Sequence, residues 1–321
     1  MSQPDLSIVI SSFNRENKVR QTLDSIYSSD LQGLGQIELI LIDDGSPLPV
    51  KNCLPPESAI PSCIRFRLIE QKNAGIGFTR NRGFRESKSS LVLFLDDDII
   101  LEKQSIKQLV EAAAAHPGAV IFGSYPFISH QSRSLELFAR KLFNYDDHTA
   151  TPQFKRVDAI TSGLLLVSKD RLTDKQHFYR DDMTIPAAEE HEIISRFRAL
   201  DIPIYQATHI RAMHNHHLEL KWLSNQQFKY GQATAEAFIK SPEILKMEKF
   251  ENFRRSMEPK GLKKLALDMF GSSMGRKIVL GSSAFLNKVF PRSSHNRVFG
   301  LLVTAFFYAG YKQGTKRFGT V

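Results

Sequence analysis

Short apolar segments alternate with helically patterned stretches through the first 125 residues, and this alternation limits the folds open to the chain. The apolar segments are LSIVIS (6–11), IELILI (37–42), IRFRLI (64–69), LVLFL (91–95) and AVIFG (119–123). The first, second and fourth are apolar enough to be strands buried on both faces. Strands that alternate with helices predict an α/β domain with a mainly parallel central sheet.

Polar residues follow three of these predicted strands. They are SSFNR (11–15), DDGS (43–46) and DDD (96–98). In a parallel sheet the carboxyl ends of the strands meet at one edge, and ligands bind there. We therefore expect these three segments to contribute to one site.

The three adjacent carboxylates at the end of the fourth strand pose an electrostatic problem. Alternate residues of an extended chain point to one side, so Asp96 and Asp98 could share a divalent cation while Asp97 points away. Like charges repel, and a cation that the chain does not itself carry would remove that repulsion. Oxygen ligands favour Mn²⁺ or Mg²⁺. The alternative is a solvated acidic loop, against which the five preceding apolar residues argue.

Two glycine-containing segments could contact a nucleotide, although each also has a plainer explanation. In ILIDDGS, Asp44 could accept hydrogen bonds from a base or a ribose, but Asp-Gly is also a common turn. In NAGIGFTRNRG (73–83), backbone amides and Arg80 could approach an anion, but caps of helices use the same residues. The segment is not the dinucleotide fingerprint, because Arg80 stands where a third glycine is needed.

Two later segments carry candidate acid–base and metal-binding groups. In AAEEHEIISR (187–196), Glu189 or Glu190 could take a proton from an incoming hydroxyl, or could simply suit the dipole at a helix start. In HNHH (214–217), His214 could bind a metal, or the histidines could be polar surface residues. Both alternatives stay open for each segment.

The chain becomes basic in its last quarter. From 240 to 321 there are 16 Lys and Arg against 5 Asp and Glu, or +11, which leaves −2 for residues 1–239 (27 basic, 29 acidic). SGLLLVS (162–168) predicts a strand, EHEIISRFRALD (190–201) a helix, and a further helix is expected from about Leu218 to Ile239. We predict two domains, 1–239 and a basic helical region 240–321.

The basic helices predict a partner with an anionic surface. Basic amphipathic helices bind anionic membranes, although packed helices with lysines in water would have the same composition. The start of the chain lacks the features of a signal peptide, and the longest nearly uncharged run, Val298–Tyr311, has 14 residues. Cys53 and Cys63 show no metal or disulfide pattern. We expect a cytoplasmic location, with peripheral association at the cytoplasmic face of the membrane as an open alternative.

The ordered set of motifs resembles the family 2 glycosyltransferases, which have the nucleotide-sugar-binding GT-A fold. The resemblance covers roughly residues 5–235. The motifs that carry it are LSIVISSFNR, IELILIDDGS, NAGIGFTRNRG, LVLFLDDDI, SGLLLVS, EEHEIISR and HNHH. It implies an inverting enzyme that takes a sugar from a UDP, GDP or dTDP donor and transfers it to a glycan or lipid-linked acceptor.

The resemblance also implies roles for individual residues. Ser11 and Asp44 match positions that meet the base and ribose, and Arg80 lies in the family's Arg-Asn-x-Gly segment beside the nucleotide. Asp96 and Asp98 match the Asp-x-Asp motif, the first reaching the ribose and the second holding the metal on the diphosphate. The remaining matches are His214, near the metal or diphosphate, and Glu190, the catalytic base, with Glu189 as the fallback. The family's pair is Glu-Asp, whereas this chain has Glu-Glu.

Two other functions compete with this hypothesis. A nucleotidyltransferase also uses a metal and carboxylates on an α/β sheet, but no glycine-rich signature with a following lysine accompanies the first strand. A nucleic-acid-binding protein could use the basic C-terminal region, but the positive charge avoids the segments that carry the motifs. Donor choice is expected to depend on residues 124–160, whose sequence does not identify the sugar.

Overall fold

The structure, a computed structural model, describes residues 3–128, 133–142, 154–172, 174, 177–185, 187–281 and 292–319. The chain forms two units. The first comprises Met1–Phe127, Tyr145–Asp181 and Arg196–His216, and the second comprises Ile128–Asn144, Asp182–Ser195 and His217–Val321. The predicted domains, 1–239 and 240–321, stay a prediction.

A ten-stranded sheet organises the first unit. Its strands are β1 (Leu6–Ser12), β2 (Ile37–Asp43), β3 (Ile64–Glu70), β4 (Leu91–Asp96), β5 (Ile99–Leu101), β6 (Val120–Ser124), β7 (Phe127–Ile128), β8 (Phe154–Arg156), β9 (Leu164–Ser168) and β10 (Ile204–His217). The order of neighbours is β3-β2-β1-β4-β9-β6-β10-β5, and β7 and β8 also pair with β10. The first four strands of this order run parallel, as does β10 beside β6. The mainly parallel α/β sheet that the sequence predicts is therefore present.

Ten α-helices accompany these strands in the described part of the chain. They are α1 (Glu16–Tyr27), α2 (Ile76–Glu86), α3 (Ser105–Ala115), α4 (Arg133–Leu142), α5 (Glu190–Ala199), α6 (Leu220–Lys240), α7 (Glu248–Ser256), α8 (Gly261–Gly271), α9 (Ser273–Gly281) and α10 (Arg292–Phe318). In α1, Val19, Leu23 and Ile26 recur at helical spacing and are fully buried. Burial of each such side chain stabilises the fold by about 1.5–3 kcal/mol.

Burial along the strands follows the predicted pattern. Every residue of β1 and β2 is buried, and four of the six residues of β4 are buried. Strands covered on both faces need continuous apolar sequence, which is why these segments show no polar alternation. The core of the first unit thus fixes the strand ends that carry the polar motifs.

Two features of the sheet differ from a simple parallel arrangement. β9 runs antiparallel to both β4 and β6. The strand that ends in the HNHH segment, β10, is long, and its pairing with β6 shifts between Ala207 and Arg211. A bulge of this kind breaks the alternation of side chains along the strand.

The second unit contains a long helix pair. α6 and α10 pack at close range, as the position of Gly231 shows. A Cβ atom there would lie 2.0 Å from the Phe307 carbonyl oxygen. A Cβ atom at Gly310 would likewise lie 2.0 Å from the Phe228 carbonyl oxygen. Only glycine permits this approach. Among the described helices, none is long and apolar enough to cross a membrane.

Candidate functional site

The polar ends of β1, β2 and β4 lie side by side in the first unit. The ladder pairs Ser12 of β1 with Asp43 of β2, and Ser11 of β1 with Asp96 of β4. The sequence prediction that these polar segments meet at one sheet edge is therefore confirmed. Among the described residues, the buried Ser11 Oγ has no hydrogen-bond partner, so this hydroxyl is available to a ligand.

Asp44 organises the loop that leads into α2. Its Oδ1 accepts hydrogen bonds from Gln71 Nε2 (2.7 Å) and the Ala74 amide (2.9 Å), and its Oδ2 accepts one from the Gly75 amide (3.0 Å). The carboxylate is buried. Asp44 therefore positions the glycine segment that was expected to approach an anion, and its predicted contact with a base or ribose stays a prediction.

Arg80 and Asp96, two residues expected to meet the nucleotide, form an ion pair with each other. Arg80 Nη2 lies 2.6 Å from Asp96 Oδ1, and the arginine is almost fully buried. The guanidinium carbon of Arg80 lies 5.1 Å from the ring centroid of Tyr179. Because the arginine is buried, less water screens this pair, although the Asp96 side chain is 32% exposed. The structure thus brings the two predicted residues together in a fixed geometry.

Asn81 holds the segment that supplies the Tyr179 ring. Its Oδ1 accepts hydrogen bonds from the amides of Phe178 and Tyr179, each at 2.8 Å, and its Nδ2 donates to the Tyr179 carbonyl at 2.6 Å. Nδ2 also donates to Asp181. Asn81 is fully buried on α2, so the helix that carries Arg80 also fixes the aromatic ring beside it.

The repulsion within the aspartate triplet is offset by cations of the chain itself. Arg15 Nη1 lies 3.1 Å from Asp97 Oδ1 and 2.5 Å from Asp98 Oδ2, and Lys18 Nζ lies 3.5 Å from Asp98 Oδ2. The expectation of a divalent ion stays a prediction, but this positive charge from the chain itself was missed from sequence. The strand order explains its position, because the segment after β1 lies beside the end of β4.

Asp97 lies under this cover of positive charge. Burial raises the pKa of its carboxyl to about 7, while the Arg15 guanidinium acts in the opposite direction. Asn14, just before Arg15, has a left-handed backbone with φ of 56°, and its amide donates to Ser46 Oγ at 2.9 Å. This turn directs the chain from β1 into α1 and places Arg15 over the triplet.

Asp98 and His214, the two residues expected to hold a metal, lie close together. β5 and β10 pair antiparallel with His214 opposite Ile99, and the Asn215 amide donates to the Asp98 carbonyl at 2.7 Å. His214 Nε2 consequently lies 3.7 Å from Asp98 Oδ1. Burial lowers the pKa of His214, although the Asp98 charge acts in the opposite direction. The lowered pKa favours the neutral imidazole, which is the form that binds metals.

These donors suit a hard divalent ion. Asp98 offers Oδ1 toward His214, while its Oδ2 faces Arg15. No group of three His, Cys, Asp or Glu side chains that could hold a metal occurs within the described ranges. Mg²⁺ and similar ions commonly bind through one or two carboxylates and complete their coordination with water and substrate phosphates. Asp98 and His214 fit this kind of site, in which the protein supplies only part of the ion's coordination.

Glu189 and Glu190 belong to the second unit. Glu190 is the first residue of α5, Glu189 lies in the turn before it, and both are partly buried. Ala188 has a left-handed backbone with φ of 58°, which costs a non-glycine residue about 1 kcal/mol or more. The buried Glu236 on α6 accepts hydrogen bonds from the amides of Thr184 (2.8 Å) and Ile185 (3.1 Å). The segment that leads to the two glutamates is therefore anchored to α6.

Several residues of the site were missed from sequence. They are Arg15, Lys18, Gln71, Asn81 and Tyr179. Arg15 lies in the polar segment SSFNR, so its place at the sheet edge was a usable signal. Tyr179 is distant in sequence from the strands that carry the motifs, and no sequence pattern pointed to it. Residues 124–160, expected to shape donor choice, lie partly outside the described residues.

Sequence comparison relates the chain to a known family. Residues 7–166 match the family model described as glycosyl transferase family 2. The chain is 27% identical over 121 residues to the putative glycosyltransferase EpsH of Bacillus subtilis, a match that covers 38% of this chain and 34% of EpsH. It is 24% identical over 186 residues to the GalNAc(5)-diNAcBac-PP-undecaprenol beta-1,3-glucosyltransferase of Campylobacter jejuni, covering 57% and 58% of the two chains. The chain thus spans less than two thirds of either relative.

Structural comparison identifies the fold. The chain resembles a mannosyltransferase from Pyrobaculum calidifontis solved with GDP-Man and Mn²⁺, with a TM-score of 0.60 and 13% identity. The match covers 95% of this chain and 86% of the other. At this identity the likeness concerns the fold alone, and it confirms the predicted GT-A type α/β class with additional C-terminal helices.

Proposed function

The chain belongs to glycosyl transferase family 2, and from this membership we propose that it transfers a sugar from a nucleoside-diphosphate donor to an acceptor hydroxyl. The observation that carries the proposal is the cluster at the strand ends. It joins the Asp98–His214 pair with the Arg80–Asp96 pair at neighbouring positions of one sheet edge. This arrangement supports a divalent ion site and a cationic side chain, Arg80, beside a diphosphate.

The donor is held by residues of the first unit. Ser11 and Asp44 face the base and ribose, Asp96 reaches the ribose, and Arg80 lies beside the nucleotide. Asp98 and His214 would hold Mn²⁺ or Mg²⁺, and such an ion supplies Lewis-acid stabilisation of the diphosphate charge. The mannosyltransferase that shares the fold was solved with GDP-Man and Mn²⁺, which supports a donor and an ion of these classes.

The transfer step inverts the anomeric carbon. Glu190 takes the proton of the acceptor hydroxyl as that oxygen forms its bond to the anomeric carbon. The bond from that carbon to the diphosphate breaks on the opposite face, and the nucleoside diphosphate leaves with the electron pair. Arg80 offsets the charge that develops on this leaving group, an interaction that is strong where water is excluded. Glu189 is the alternative base.

The acceptor is a glycan or a lipid-linked saccharide in polysaccharide assembly. The name of the Campylobacter relative includes an undecaprenol-linked acceptor, which supports this class. A lipid-linked acceptor is presented at a membrane surface, so we include peripheral membrane association in the proposal. The excess of Lys and Arg after residue 240 supports an anionic surface as the partner.

A nucleotide panel tests the donor site. We expect one of UDP, GDP, dTDP or CDP to raise the melting temperature of the intact protein by several degrees when Mn²⁺ is present. A ligand at 100 times its dissociation constant adds about 2.7 kcal/mol of stability. The measurement is a thermal-shift assay with and without Mn²⁺, with adenosine as a control that lacks the diphosphate. The absence of any shift with all four nucleotides would contradict the proposed function.

A further inference from the structure

α8 and α9 expose apolar side chains on one side while they pack on the other. On the inner side, Leu267 packs with Ala305 and Tyr308, and Val279 packs with Leu302 and Phe306. The outer side chains are Leu262 (85% exposed), Leu265 (66%), Met269 (56%), Met274 (71%) and Ile278 (61%). We call these five residues the outer face. The inner contacts attach α8 and α9 to α10.

The spacing of the outer face is regular. Leu262, Leu265 and Met269 are three and four residues apart on α8, and Met274 and Ile278 are four apart on α9. Residues at these spacings lie along one stripe of a helix. Five large exposed apolar residues within 17 positions are more than scattered surface hydrophobics require. An exposed apolar stripe of this kind is typical of a surface that binds a protein partner or a membrane.

Basic residues occur on the same two helices as the outer face. Lys260, Lys263, Lys264 and Lys277 are exposed, and from 260 to 281 five Lys and Arg oppose one Asp. Lys264 pairs with that aspartate, Asp268, at 2.7 Å. Lysine side chains beside an apolar stripe keep their charge in water while the stripe enters the interface of a bilayer.

We propose that the outer face binds the surface of an anionic lipid membrane. The proposal deepens the peripheral association that the proposed function includes, and rests on it. A second copy of the same chain is a poorer occupant, because the lysines around both copies would repel each other. The exposed apolar side chains of α8 and α9 can enter the headgroup region while the exposed lysines of the same helices meet anionic headgroups.

Vesicle co-sedimentation of the intact protein tests this surface. We expect binding to phosphatidylcholine vesicles that contain phosphatidylglycerol, and much weaker binding to phosphatidylcholine alone. The apolar variant Leu265→Ser/Ile278→Ser and the charge variant Lys263→Glu/Lys277→Glu should each bind at least about tenfold more weakly. Matched controls are Leu48→Ser, an exposed leucine of the first unit, and Lys246→Glu, an exposed lysine outside α8 and α9.

The outcomes are separable from those of the donor site. Unchanged vesicle binding by both variants would overturn the proposal, as would equal loss in the two controls. A wild-type dimer that the apolar variant dissociates, with no vesicle binding, would assign the outer face to self-association instead. Both variants should keep the melting temperature and its increase with nucleotide and Mn²⁺. If that increase is missing while vesicles still bind, the donor site fails and the membrane surface stands.

A different observation supports a second inference, which concerns the ion pair between Arg15 and the aspartates. The two oxygens of Asp98 have different neighbours, since Oδ1 lies near His214 and Oδ2 near Arg15 and Lys18. A divalent ion held by Asp98 and His214 would draw on the same negative charge that Arg15 already offsets. We infer that Arg15 weakens metal binding in the absence of donor, because its guanidinium and the metal ion compete for the negative charge of Asp98.

Metal titration without nucleotide tests this inference, which rests on the metal site of the proposed function. Arg15→Ala should bind Mn²⁺ about tenfold more tightly than the wild type, measured from the electron paramagnetic resonance signal of unbound Mn²⁺. Arg15→Lys keeps the charge and should bind with intermediate affinity. Arg20→Ala is the matched control, because Arg20 lies on the same helix with a side chain 43% exposed, against 44% for Arg15, and pairs only with the exposed Asp24 among the contacts described.

Equal or weaker Mn²⁺ binding by Arg15→Ala would overturn the inference. The melting temperature of each variant without metal serves as the check on folding. If neither the wild type nor any variant binds Mn²⁺, the metal site itself fails, and Arg15 then has no ion to oppose. Binding that is equal in the wild type and Arg15→Ala removes the role of Arg15 alone and leaves the metal site intact.

Discussion

Replacing Glu190 with glutamine should abolish sugar transfer and leave donor binding intact. The amide keeps the size of the side chain but cannot accept the proton of the acceptor hydroxyl, and proton transfer of this kind contributes roughly 10²–10⁴-fold to a rate. Turnover is measured as release of nucleoside diphosphate in the presence of acceptor. The thermal shift with nucleotide and Mn²⁺ should match that of the wild type, because the predicted donor-binding residues all lie in the first unit.

Glu189→Gln is the matched control for this experiment. The two glutamates are adjacent, both are partly buried, and the left-handed Ala188 precedes them. If Glu190 is the base, Glu189→Gln should lose less than about tenfold in turnover, well below the general-base contribution. The reverse pattern would move the role to Glu189. Full activity in both variants would show that neither carboxylate takes the proton.

The fold was predictable because burial dictates composition along the strands. β1, β2 and β4 are covered on both faces, so their sequences are continuous apolar segments of strand length, bounded by polar residues. Their carboxyl ends then had to meet at one edge of a parallel sheet, and the pairings of Ser12 with Asp43 and of Ser11 with Asp96 follow. The direction of β9 was not predictable, since a buried strand has the same composition in either direction.

The pairing of charges at the site was harder to predict than the positions of the residues. Asp98 and His214 were both assigned from motifs, and the β5–β10 ladder brings them together. The contact of Arg15 with the aspartates was not predicted. A long side chain can reach several neighbours, and sequence alone does not show which of them it pairs with. Asn81 and Tyr179 form a contact across 98 positions, which no local pattern reveals.

Replacing Asp98 with alanine should eliminate the metal-dependent stabilisation by nucleotide. The variant removes the carboxylate that, with His214, fits a divalent ion, so the gain of about 2.7 kcal/mol at 100 times the dissociation constant should disappear. The measurement is the melting temperature with each nucleoside diphosphate, with and without Mn²⁺. Asp24→Ala is the control, because Asp24 is an exposed carboxylate that pairs with Arg20 on α1.

Loss of the response in Asp98→Ala should not come from loss of folding. The variant removes one of three like charges, and the half-exposed Arg15 that it releases still has Asp97 and water as partners. The melting temperature without ligand should therefore change little. A variant that folds normally and still responds to nucleotide only with Mn²⁺ would place the ion elsewhere. A variant that responds equally with and without Mn²⁺ would show that nucleotide binding needs the chain's own cations alone, with Arg80 and Arg15 as the groups that remain to meet the diphosphate.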